Sequence, residues 1–267
     1  MRDSYPVVIR ETVLKWAGNK RKMGDEIRTL VGGTYPGWIE PFVGGGGFLA
    51  SHPFRTRVVI GDLNKDLTEL YKWIKLRPLT FIEEVKRAFD GGNVESKYYE
   101  RRDMFNNMTH ILPRSVLFLY LNRHGFNGLC RYNKSGGYNV PFGKYKNVVV
   151  PIDQIKIVSE ILQHDSYITR GNFTDTMDMA EEGDAIYCDP PYVPASITSN
   201  FTSYTGEGFN IGQQKTLHRA AVSASKRGVT VAVSNSYTPT SLKIFGENSE
   251  VHELSASRSI SCDGGGR

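Results

Sequence analysis

The sequence predicts an α/β fold built on a parallel sheet, with a mainly helical insertion. Short apolar runs at residues 57–60 and 185–188 each lead towards an acidic residue, as in buried strands that end at a ligand-binding edge. Residues 155–162 and 213–227 have helical periodicity, and residues 229–234 form another apolar run. Alternating strand and helix patterns of this kind indicate a parallel sheet covered by helices.

The size and composition of the chain fit one principal core. It has 267 residues, 39% of them hydrophobic, which is enough to bury a substantial interior. No apolar run reaches the roughly 20 residues that a bilayer span needs, and the first six residues lack the apolar region of a signal peptide. We therefore expect a cytoplasmic protein with no membrane partner.

Cysteine and histidine usage predicts neither disulfides nor a metal site. The three cysteines, Cys130, Cys188 and Cys262, are an odd number at wide spacing, and the six histidines are scattered. We expect no bound metal.

A glycine-rich loop follows the first predicted strand. Residues 44–47 are all glycine and precede a plausible helix start, so the backbone can approach a ligand without obstruction by Cβ atoms. Asp62 ends the next predicted strand, roughly 20 residues further on, which is the spacing between the glycine-rich turn and the ribose-binding carboxylate of nucleotide-binding units. We predict that Asp62 binds a ribose hydroxyl. A flexible loop with an Asx turn at Asp62 is the alternative.

Residues 64–150 are mostly helical by pattern and carry the positive charge of the chain. The net charge is +5, yet no Asp or Glu occurs between Met104 and Ile152. Near the start of the segment, Leu67, Leu70 and Ile74 recur at helical spacing. The acid-free stretch holds six positive residues: Arg114, Arg123, Arg131, Lys134, Lys144 and Lys146.

Aromatic rings and amides are interleaved with these charges. Cations neutralise phosphates, arginines and amides contact base edges, and rings stack where a base has been displaced, so a polyanion is the predicted partner. Phe118 and Tyr120 lie in an apolar helical stretch, residues 115–121, and we expect them to be core residues. Residues 125–146 are too long and too rich in Gly, Asn and Lys for a simple connection, which favours a functional loop.

The most informative motif is Asp189-Pro190-Pro191-Tyr192, directly after the predicted strand at residues 185–188. It places a carboxylate at the carboxyl end of a buried strand, where open α/β sheets bind ligands. The prolines lack N–H groups, which leaves carbonyls free to accept hydrogen bonds from a ligand, and Tyr192 supplies a stacking ring. This set suits a planar amine such as the exocyclic NH2 of a nucleobase. A routine strand-to-turn transition is the alternative.

Asp-Pro-Pro-Tyr is the signature of amino-group methyltransferases, and other segments narrow the resemblance. Residues 14–20, Leu-Lys-Trp-Ala-Gly-Asn-Lys, combine a ring, two ammonium groups and a glycine that neither periodicity explains. Together with the glycine loop, the tetrapeptide and residues 118–133 and 139–145, they resemble the Dam-type DNA adenine methyltransferases over nearly the whole chain. The resemblance implies a Rossmann-like, S-adenosylmethionine-dependent methyltransferase core with an inserted, mainly helical target-recognition domain.

This organisation predicts a discontinuous catalytic domain. Residues 1–63 and 151–267 would form the S-adenosylmethionine-binding domain, and residues 64–150 the DNA target-recognition domain. Residues 258–267 match the family and then stop, whereas relatives continue into a further strand. A naturally short chain and a truncated one are both left open.

The resemblance implies methyl transfer from S-adenosylmethionine to N6 of an adenine that is flipped out of a duplex GATC site. Asp189 and the Pro190 carbonyl would accept hydrogen bonds from the amine, and Tyr192 would stack on the base. The implied cofactor-binding residues are Trp16, Ala17, Lys20, Phe42, Gly44, Gly46, Asp62, Asn172, Phe173 and Asp189.

The resemblance also assigns a DNA-binding set. Arg131 is suited to a bidentate contact with guanine, and Leu129 and Pro141 to the thymine methyl. Phe126 stands where the family often has a tyrosine that inserts into the base stack, a departure that keeps the ring and loses the hydroxyl. Lys15, Leu129, Arg131 and Pro141 would read the GATC site, and Asn127, Asn133 and Lys144 would contact mostly the backbone. With Arg123, these residues complete the predicted DNA-binding set.

Three other functions remain open from the sequence. A methyltransferase for another planar amine, such as cytosine N4 or a protein glutamine, has less need of a basic insertion. A non-catalytic DNA-binding protein should tolerate loss of Asp189, Lys20 and Asp62, all of which are present. An RNA substrate is the third. We expect double-stranded DNA as the partner and a monomeric enzyme, associated with the nucleoid or encoded by a phage.

Overall fold

The protein is described by a computed structural model that covers residues 11–18, 20–49, 56–193 and 209–254. Its centre is a sheet of five parallel strands in the order β3-β2-β1-β4-β5. The strands are β1 (Gly37–Glu40), β2 (Arg57–Asp62), β3 (Ser166–Arg170), β4 (Ala185–Cys188) and β5 (Thr230–Val233). The predicted α/β fold with a parallel sheet is therefore confirmed.

The strand order contains a switch point between β1 and β4. The chain runs outward from β1 through β2 to β3, then returns to the other side of β1 to form β4 and β5. Trp38 and Ile39 of β1 pair with Ala185 and Ile186 of β4. Adjacent strands whose connections diverge leave a crevice at their carboxyl ends. The segments after Glu40 and Cys188 border this crevice.

Helices occupy the connections between the strands. In chain order they are α1 (Gly24–Val31), α2 (Lys65–Leu76), α3 (Pro78–Phe89), α4 (Glu95–Asn107), α5 (Ile111–His124), α6 (Ile152–Gln163), α7 (Phe173–Asp178), α8 (Ile211–Lys226) and α9 (Pro239–Phe245). Local sequence determines several helix starts. The Asn64 side chain caps α2, and Asn210 and Gln213 form a capping box at α8.

Most predicted elements occur where the sequence placed them. Strands β2 and β4 have the predicted bounds, while α6, α8 and β5 differ from prediction by a few residues at their ends. The segment 64–150 is helical from Lys65 to His124, with short breaks, and then continues as an irregular loop that contains a 3-10 helix at Phe126–Gly128. Phe118 and Tyr120 are fully buried, as expected.

One hydrophobic core joins the sheet to the helical segment. Val58 and Ile60 of β2 belong to the same cluster of buried residues as Phe118 of α5 and Tyr138 of the following loop. A second cluster lies mainly between the sheet, α7 and α8. The helices between β2 and β3 are thus packed on the sheet through shared apolar contacts. The domain bounds at 63/64 and 150/151 stay a prediction.

Within the described ranges, no helix is long and apolar enough to cross a membrane, and no cluster of three His, Cys, Asp or Glu side chains could hold a metal ion. Cys130 and Cys188 are buried thiols. The predictions that involve Cys262 and residues 258–267 fall outside the described part of the chain.

Candidate active site and DNA interface

A carboxylate, an ammonium group and a ring meet at the carboxyl end of β4. Lys20 Nζ lies 2.9 Å from Asp189 Oδ1 and 3.0 Å from Asp189 Oδ2. The same nitrogen donates a hydrogen bond to the Gly18 carbonyl at 2.7 Å and lies 4.7 Å from the centroid of the Tyr192 ring. The structure therefore joins residues from two motifs that are far apart in the sequence.

The Asp189 carboxyl is poised to accept a further hydrogen bond. Burial raises its pKa, while the charge of Lys20 and hydrogen bonds from Lys20 and Tyr192 lower it. Although Lys20 Nζ is close to Oδ1, this buried oxygen accepts no well-aligned hydrogen bond from the described residues. Because an unpaired buried acceptor is unfavourable, a ligand N–H would be stabilised at this position.

The carbonyl groups of Pro190 and Pro191 differ in their hydrogen bonding. The Pro191 carbonyl accepts a hydrogen bond from Gln214 Nε2 at 2.8 Å, which ties the segment to α8. Asn235 Oδ1 accepts from the Val193 N–H at 3.0 Å, and its Nδ2 donates to Gln214 Oε1 at 3.0 Å. In contrast, no described group donates to the Pro190 carbonyl. The backbone is held on one side while one acceptor is left for a ligand.

The glycine loop lies against Trp16 and Tyr71. A Cβ atom on Gly44 would come within 2.7 Å of Trp16 Nε1, and one on Gly46 within 2.6 Å of the Tyr71 hydroxyl. Both glycines have positive φ values, +48° and +67°, which other residues rarely adopt. Tyr71 also donates a hydrogen bond to the Gly44 carbonyl at 3.0 Å. The loop therefore needs glycine for both its conformation and its contacts.

Asp62 closes the other side of this loop. Its Oδ2 accepts a hydrogen bond from the Gly44 N–H at 3.1 Å, and its Oδ1 accepts one from the Asn64 N–H at 2.9 Å. Burial raises the pKa of this carboxyl, and the backbone hydrogen bonds lower it. The sequence alternatives of a ribose-binding carboxylate and an Asx turn are compatible here, because each oxygen keeps a lone pair after accepting one N–H.

Three phenylalanines gather beside the glycine loop. The ring of Phe42 stacks on that of Phe173, with centroids 5.2 Å apart, and meets Phe209 edge-on at 5.6 Å. Asn172 caps α7 through the Thr174 N–H and is itself exposed. Phe42, Asn172 and Phe173, which the sequence assigned to a cofactor site, thus form one neighbourhood near Asp62.

The loop after α5 folds into a hairpin, which we define as residues 129–141. Tyr132 and Tyr138 pair across it in an antiparallel bridge, and Asn133 N–H donates to the Gly137 carbonyl at 2.8 Å. At the tip, Asn133 Oδ1 accepts hydrogen bonds from Ser135 and Gly137. The side-chain oxygen Oδ1 of Asn133 therefore stabilises the turn. Arg131 and Pro141 are exposed.

Two tyrosines, Tyr138 buried and Tyr132 partly buried, anchor the inner face of this hairpin. The Tyr132 hydroxyl donates to Asp66 Oδ2 at 2.8 Å, and Arg114 makes a bidentate contact with the same carboxylate. The Tyr138 N–H and carbonyl pair with the side-chain amide of Asn106 on α4 at 2.7 and 3.2 Å. The hairpin is therefore held on the helices by a polar network that leaves its other face to solvent.

Most predicted DNA-binding residues lie around the hairpin. The Phe126 N–H donates to the Pro141 carbonyl at 2.8 Å, and the Phe126 side chain is 45% exposed. Asn127 and Lys144 have left-handed backbone conformations, with φ of 52° at each. Leu129 is partly buried and lies close to Arg131 in the chain.

Lys15 joins this surface from the amino-terminal segment. Its Nζ lies 3.6 Å from the centroid of the Tyr145 ring and donates to the Arg123 carbonyl at 3.2 Å. Burial and the nearby charge of Arg123 lower the pKa of Lys15 to about 8. Asn122 fixes the Lys15 backbone by accepting its N–H and donating to its carbonyl, each at 2.8 Å.

Arg123 does not share the exposed position of Arg131. It is only 7% exposed, and its Nη2 donates to the Thr12 carbonyl at 3.0 Å. Burial lowers the pKa of this guanidinium, and Glu11, whose carboxylate lies 3.9 Å away, raises it. The structure therefore places Arg123 as a bridge between α5 and the segment before Lys15, with little of its side chain exposed.

The sequence of this chain matches a known protein family. The family described as "D12 class N6 adenine-specific DNA methyltransferase" matches residues 16–260, which is most of the chain. The chain belongs to this family. It is therefore a DNA adenine-N6 methyltransferase, an enzyme with DNA as its substrate.

Curated relatives of this methyltransferase have the same kind of name. A "DNA adenine methylase" of Vibrio cholerae is 39% identical over 256 residues, covering 95% of this chain and 91% of the relative. The protein of that name from Escherichia coli K12 is 38% identical over 256 residues, covering 95% and 90%. A Haemophilus influenzae relative, also a "DNA adenine methylase", is 37% identical over 259 residues, covering 96% and 90%.

Membership in an adenine-specific DNA family argues against the alternatives left open by the sequence. The protein-glutamine, cytosine and RNA substrates do not fit the family description, and a non-catalytic scaffold does not fit an enzyme family. The Dam-type assignment made from the motif order is thus confirmed at the level of the family.

The methyltransferase also has site residues that sequence analysis missed. Glu40, at the end of β1, is only 3% exposed. Burial raises its pKa to about 8, although a hydrogen bond from Trp38 acts to lower the pKa. Phe209 completes the phenylalanine cluster. Gln214 and Asn235 hold the segment after β4. The position of Glu40 and of Asn235 after apolar strands was a signal in the sequence that could have identified them.

Proposed function

We propose that this methyltransferase transfers a methyl group from S-adenosylmethionine to N6 of an adenine flipped out of a double-stranded GATC site. The observation that carries this proposal is the Lys20 ammonium group. Its Nζ lies 2.9 Å from Asp189 Oδ1 and 4.7 Å from the centroid of the Tyr192 ring, so the carboxylate and the ring are close enough for one nitrogen to contact both. The proposal deepens the family assignment by naming the donor, the target sequence and the residues.

The residues of the crevice fit S-adenosylmethionine. The glycine loop lies beside Asp62, which offers a carboxylate, and Phe42 and Phe173 offer apolar rings. Trp16, Ala17 and Lys20 would line the same pocket from the amino-terminal segment, with Gly44, Gly46, Asn172 and Asp189. When bound, S-adenosylmethionine would supply an activated methyl group on a sulfonium.

The contribution of the protein to the reaction is alignment and charge stabilisation. Asp189 Oδ1 and the Pro190 carbonyl would accept the two N–H groups of the target amine, which orients the nitrogen lone pair and disperses the positive charge that forms on it. The raised pKa of Asp189 reflects a poorly solvated carboxylate, in which such hydrogen bonds are strong. Tyr192 would stack on the flipped base.

DNA recognition would involve the hairpin and its surroundings. The exposed ring of Phe126 can fill the space left in the duplex by a flipped base, which offsets part of the few kcal/mol that flipping costs. Arg131, Leu129, Pro141 and Lys15 would read base edges in the major groove. Asn127, Asn133 and Lys144 would fix the register on the phosphate backbone.

The test is transfer of tritiated methyl from S-adenosylmethionine to matched duplexes with and without GATC. We expect N6-methyladenine in the GATC duplex alone. An Asp189→Ala variant should lose about 10²–10³-fold in kcat, as expected when a preorganised acceptor at the reacting atom is removed. Asp178→Ala is the matched control, because its carboxylate is 75% exposed and lies 4.0 Å from Arg227. Equal labelling of duplexes that lack GATC would refute the target, and an active Asp189→Ala enzyme would refute the mechanism.

A further inference from the structure

Arg131 and Asn139 form an unusually complete pair across the hairpin. The Asn139 N–H donates to the Arg131 carbonyl at 3.1 Å. In return, Arg131 Nε donates to Asn139 Oδ1 at 2.7 Å, and Arg131 Nη2 donates to the Asn139 carbonyl at 3.1 Å. One asparagine thus engages both the backbone and the guanidinium of one arginine.

The hairpin directs this pair to the solvent face. Tyr132 and Tyr138 occupy the neighbouring positions and are anchored inward on Asp66 and Asn106. Because side chains alternate between the two faces of paired extended segments, Arg131 and Asn139 share the outer face. Arg131 is exposed, and Asn139 is partly buried beside it.

The hydrogen bonds from Arg131 to Asn139 engage one edge of the guanidinium group, and the other edge makes none of them. Nε and Nη2 form its side edge, and Asn139 accepts from both. The end edge consists of Nη1 and the second hydrogen of Nη2, and Nη1 has no hydrogen-bond partner among the described residues. A guanine offers two neighbouring acceptors in the major groove, O6 and N7, which match this end edge.

We propose that Asn139 is a positioning residue that holds the side edge of Arg131 so that the end edge is directed at a guanine. This inference rests on the proposed reading of DNA by Arg131. An exposed arginine loses much rotamer freedom when it binds, and a tether made before binding removes part of that loss. Asn139 therefore increases discrimination through Arg131, without itself touching the base.

The experiment measures methyl transfer to duplexes altered at single acceptors. Each duplex holds one GATC site whose second strand is already methylated, so only one adenine can react and its two nearby guanines are distinct. Either guanine is replaced by 7-deazaguanine, which lacks the N7 acceptor. The readout is the ratio of kcat/KM for the natural duplex to kcat/KM for the substituted duplex.

Asn139→Ala should lower this ratio by about threefold to tenfold at the guanine read by Arg131, a fraction of the loss of a whole bidentate contact. Asn139→Asp retains an acceptor at Oδ1 and should keep the ratio, although its added charge will weaken binding to all duplexes. Arg131→Ala should bring the ratio close to one. In that background, Asn139→Ala should have no further effect on the ratio, because the two residues act as a unit.

A direct phosphate contact by Asn139 would give a different pattern. Asn139→Ala would then reduce kcat/KM for natural and substituted duplexes equally, and Asn139→Asp would be at least as harmful as Asn139→Ala. Lys144→Ala provides the reference for such behaviour, since loss of a phosphate contact lowers binding uniformly and reduces the salt dependence of affinity. Either result for Asn139 would overturn its positioning role.

The controls separate this inference from the proposed function. If Arg131→Ala lowers the ratio and Asn139→Ala does not, the positioning role fails while the reading of guanine by Arg131 stands. If Arg131→Ala leaves the ratio unchanged at both guanines, the assignment of Arg131 fails and the inference fails with it. If the unchanged enzyme methylates no GATC duplex, the proposed function itself is refuted.

Discussion

Individual carboxyl groups at the carboxyl ends of the strands differ in their surroundings, and their chemistry follows from this. Asp189 has an ammonium group within 3.0 Å, whereas Asp62 accepts backbone N–H groups. Among the described residues Glu40 has neither kind of partner, and its Oε1 accepts a hydrogen bond from Trp38 Nε1 at 3.0 Å. A buried carboxyl without a cation favours its protonated form. Glu40 is thus one residue at which pH should affect the stability of the fold.

Glu40 predicts a loss of stability as the pH rises. Burial raises its pKa from 4.5 to about 8, so between these values the folded protein retains a proton that the unfolded chain has released. The stabilisation is fully present below about pH 4.5 and is lost as the pH rises through about 8. In Glu40→Gln, which keeps the oxygen acceptor for Trp38, this dependence should be absent.

The measurement is urea unfolding of both proteins, without cofactor, from pH 5.5 to 8.5. We expect the free energy of unfolding of the unchanged protein to fall by on the order of 1–3 kcal/mol more than that of the variant. Parallel stability curves for the two proteins would show that Glu40 does not titrate in this way.

At the scale of elements, the hairpin 129–141 shows how a segment without regular secondary structure is kept in place. Its backbone has few ladder hydrogen bonds of its own, and the Asn106 side chain on α4 provides two more by pairing with Tyr138. Tyr132 donates a hydrogen bond to Asp66, and Arg114 binds the same carboxylate. The order of the hairpin therefore depends on side chains of α2, α4 and α5.

Asn106→Ala should loosen the hairpin without unfolding the protein. Its loss leaves the Tyr138 N–H without its acceptor, which costs about 1 kcal/mol or more. Hydrogen–deuterium exchange in the peptide that contains Tyr138 should become roughly five- to tenfold faster, and kcat/KM for DNA should fall. Asn107→Ala is the matched control, since Asn107 is exposed on the same helix and, within the described part of the chain, its side chain bonds only to the Asp103 carbonyl. Unchanged exchange in the Asn106 variant would contradict this role.

At the scale of the whole molecule, the sheet and the helical segment behave as one packed body. Residues of β2, α2, α5 and the hairpin all belong to one cluster of buried side chains. A shared core couples the order of the hairpin to that of the sheet, because neither side can expose its apolar face without disturbing the other.

Phe118→Ala tests this coupling. Phe118 is fully buried on α5, and removal of its ring should lower the free energy of unfolding by about 3–5 kcal/mol. If the core is cooperative, native-state hydrogen exchange should accelerate in β2 as well as in α5. Ile111→Ala, at an exposed position of the same helix, should change neither. Faster exchange confined to the helices would show that residues 64–150 form a separately stable domain.

The sequence by itself was sufficient for features that are encoded in contiguous residues. The glycine loop, strands β2 and β4, and the position of Asp-Pro-Pro-Tyr directly after a strand were predicted correctly, because apolar patterning, proline and glycine act on the local backbone. The core positions of Phe118 and Tyr120 followed from helical patterning in the same way. The order of the motifs was enough to assign the family.

Only the tertiary structure decided which distant residues meet. Lys20 reaches Asp189 across 169 positions of the chain, and Asn139 meets Arg131 through the fold of the hairpin. Arg123 looked like a DNA contact in a basic segment, yet packing of α5 places it in the interior. The physical reason is that charge and residue type describe what a side chain can bind, whereas burial and partners depend on how separate elements pack together.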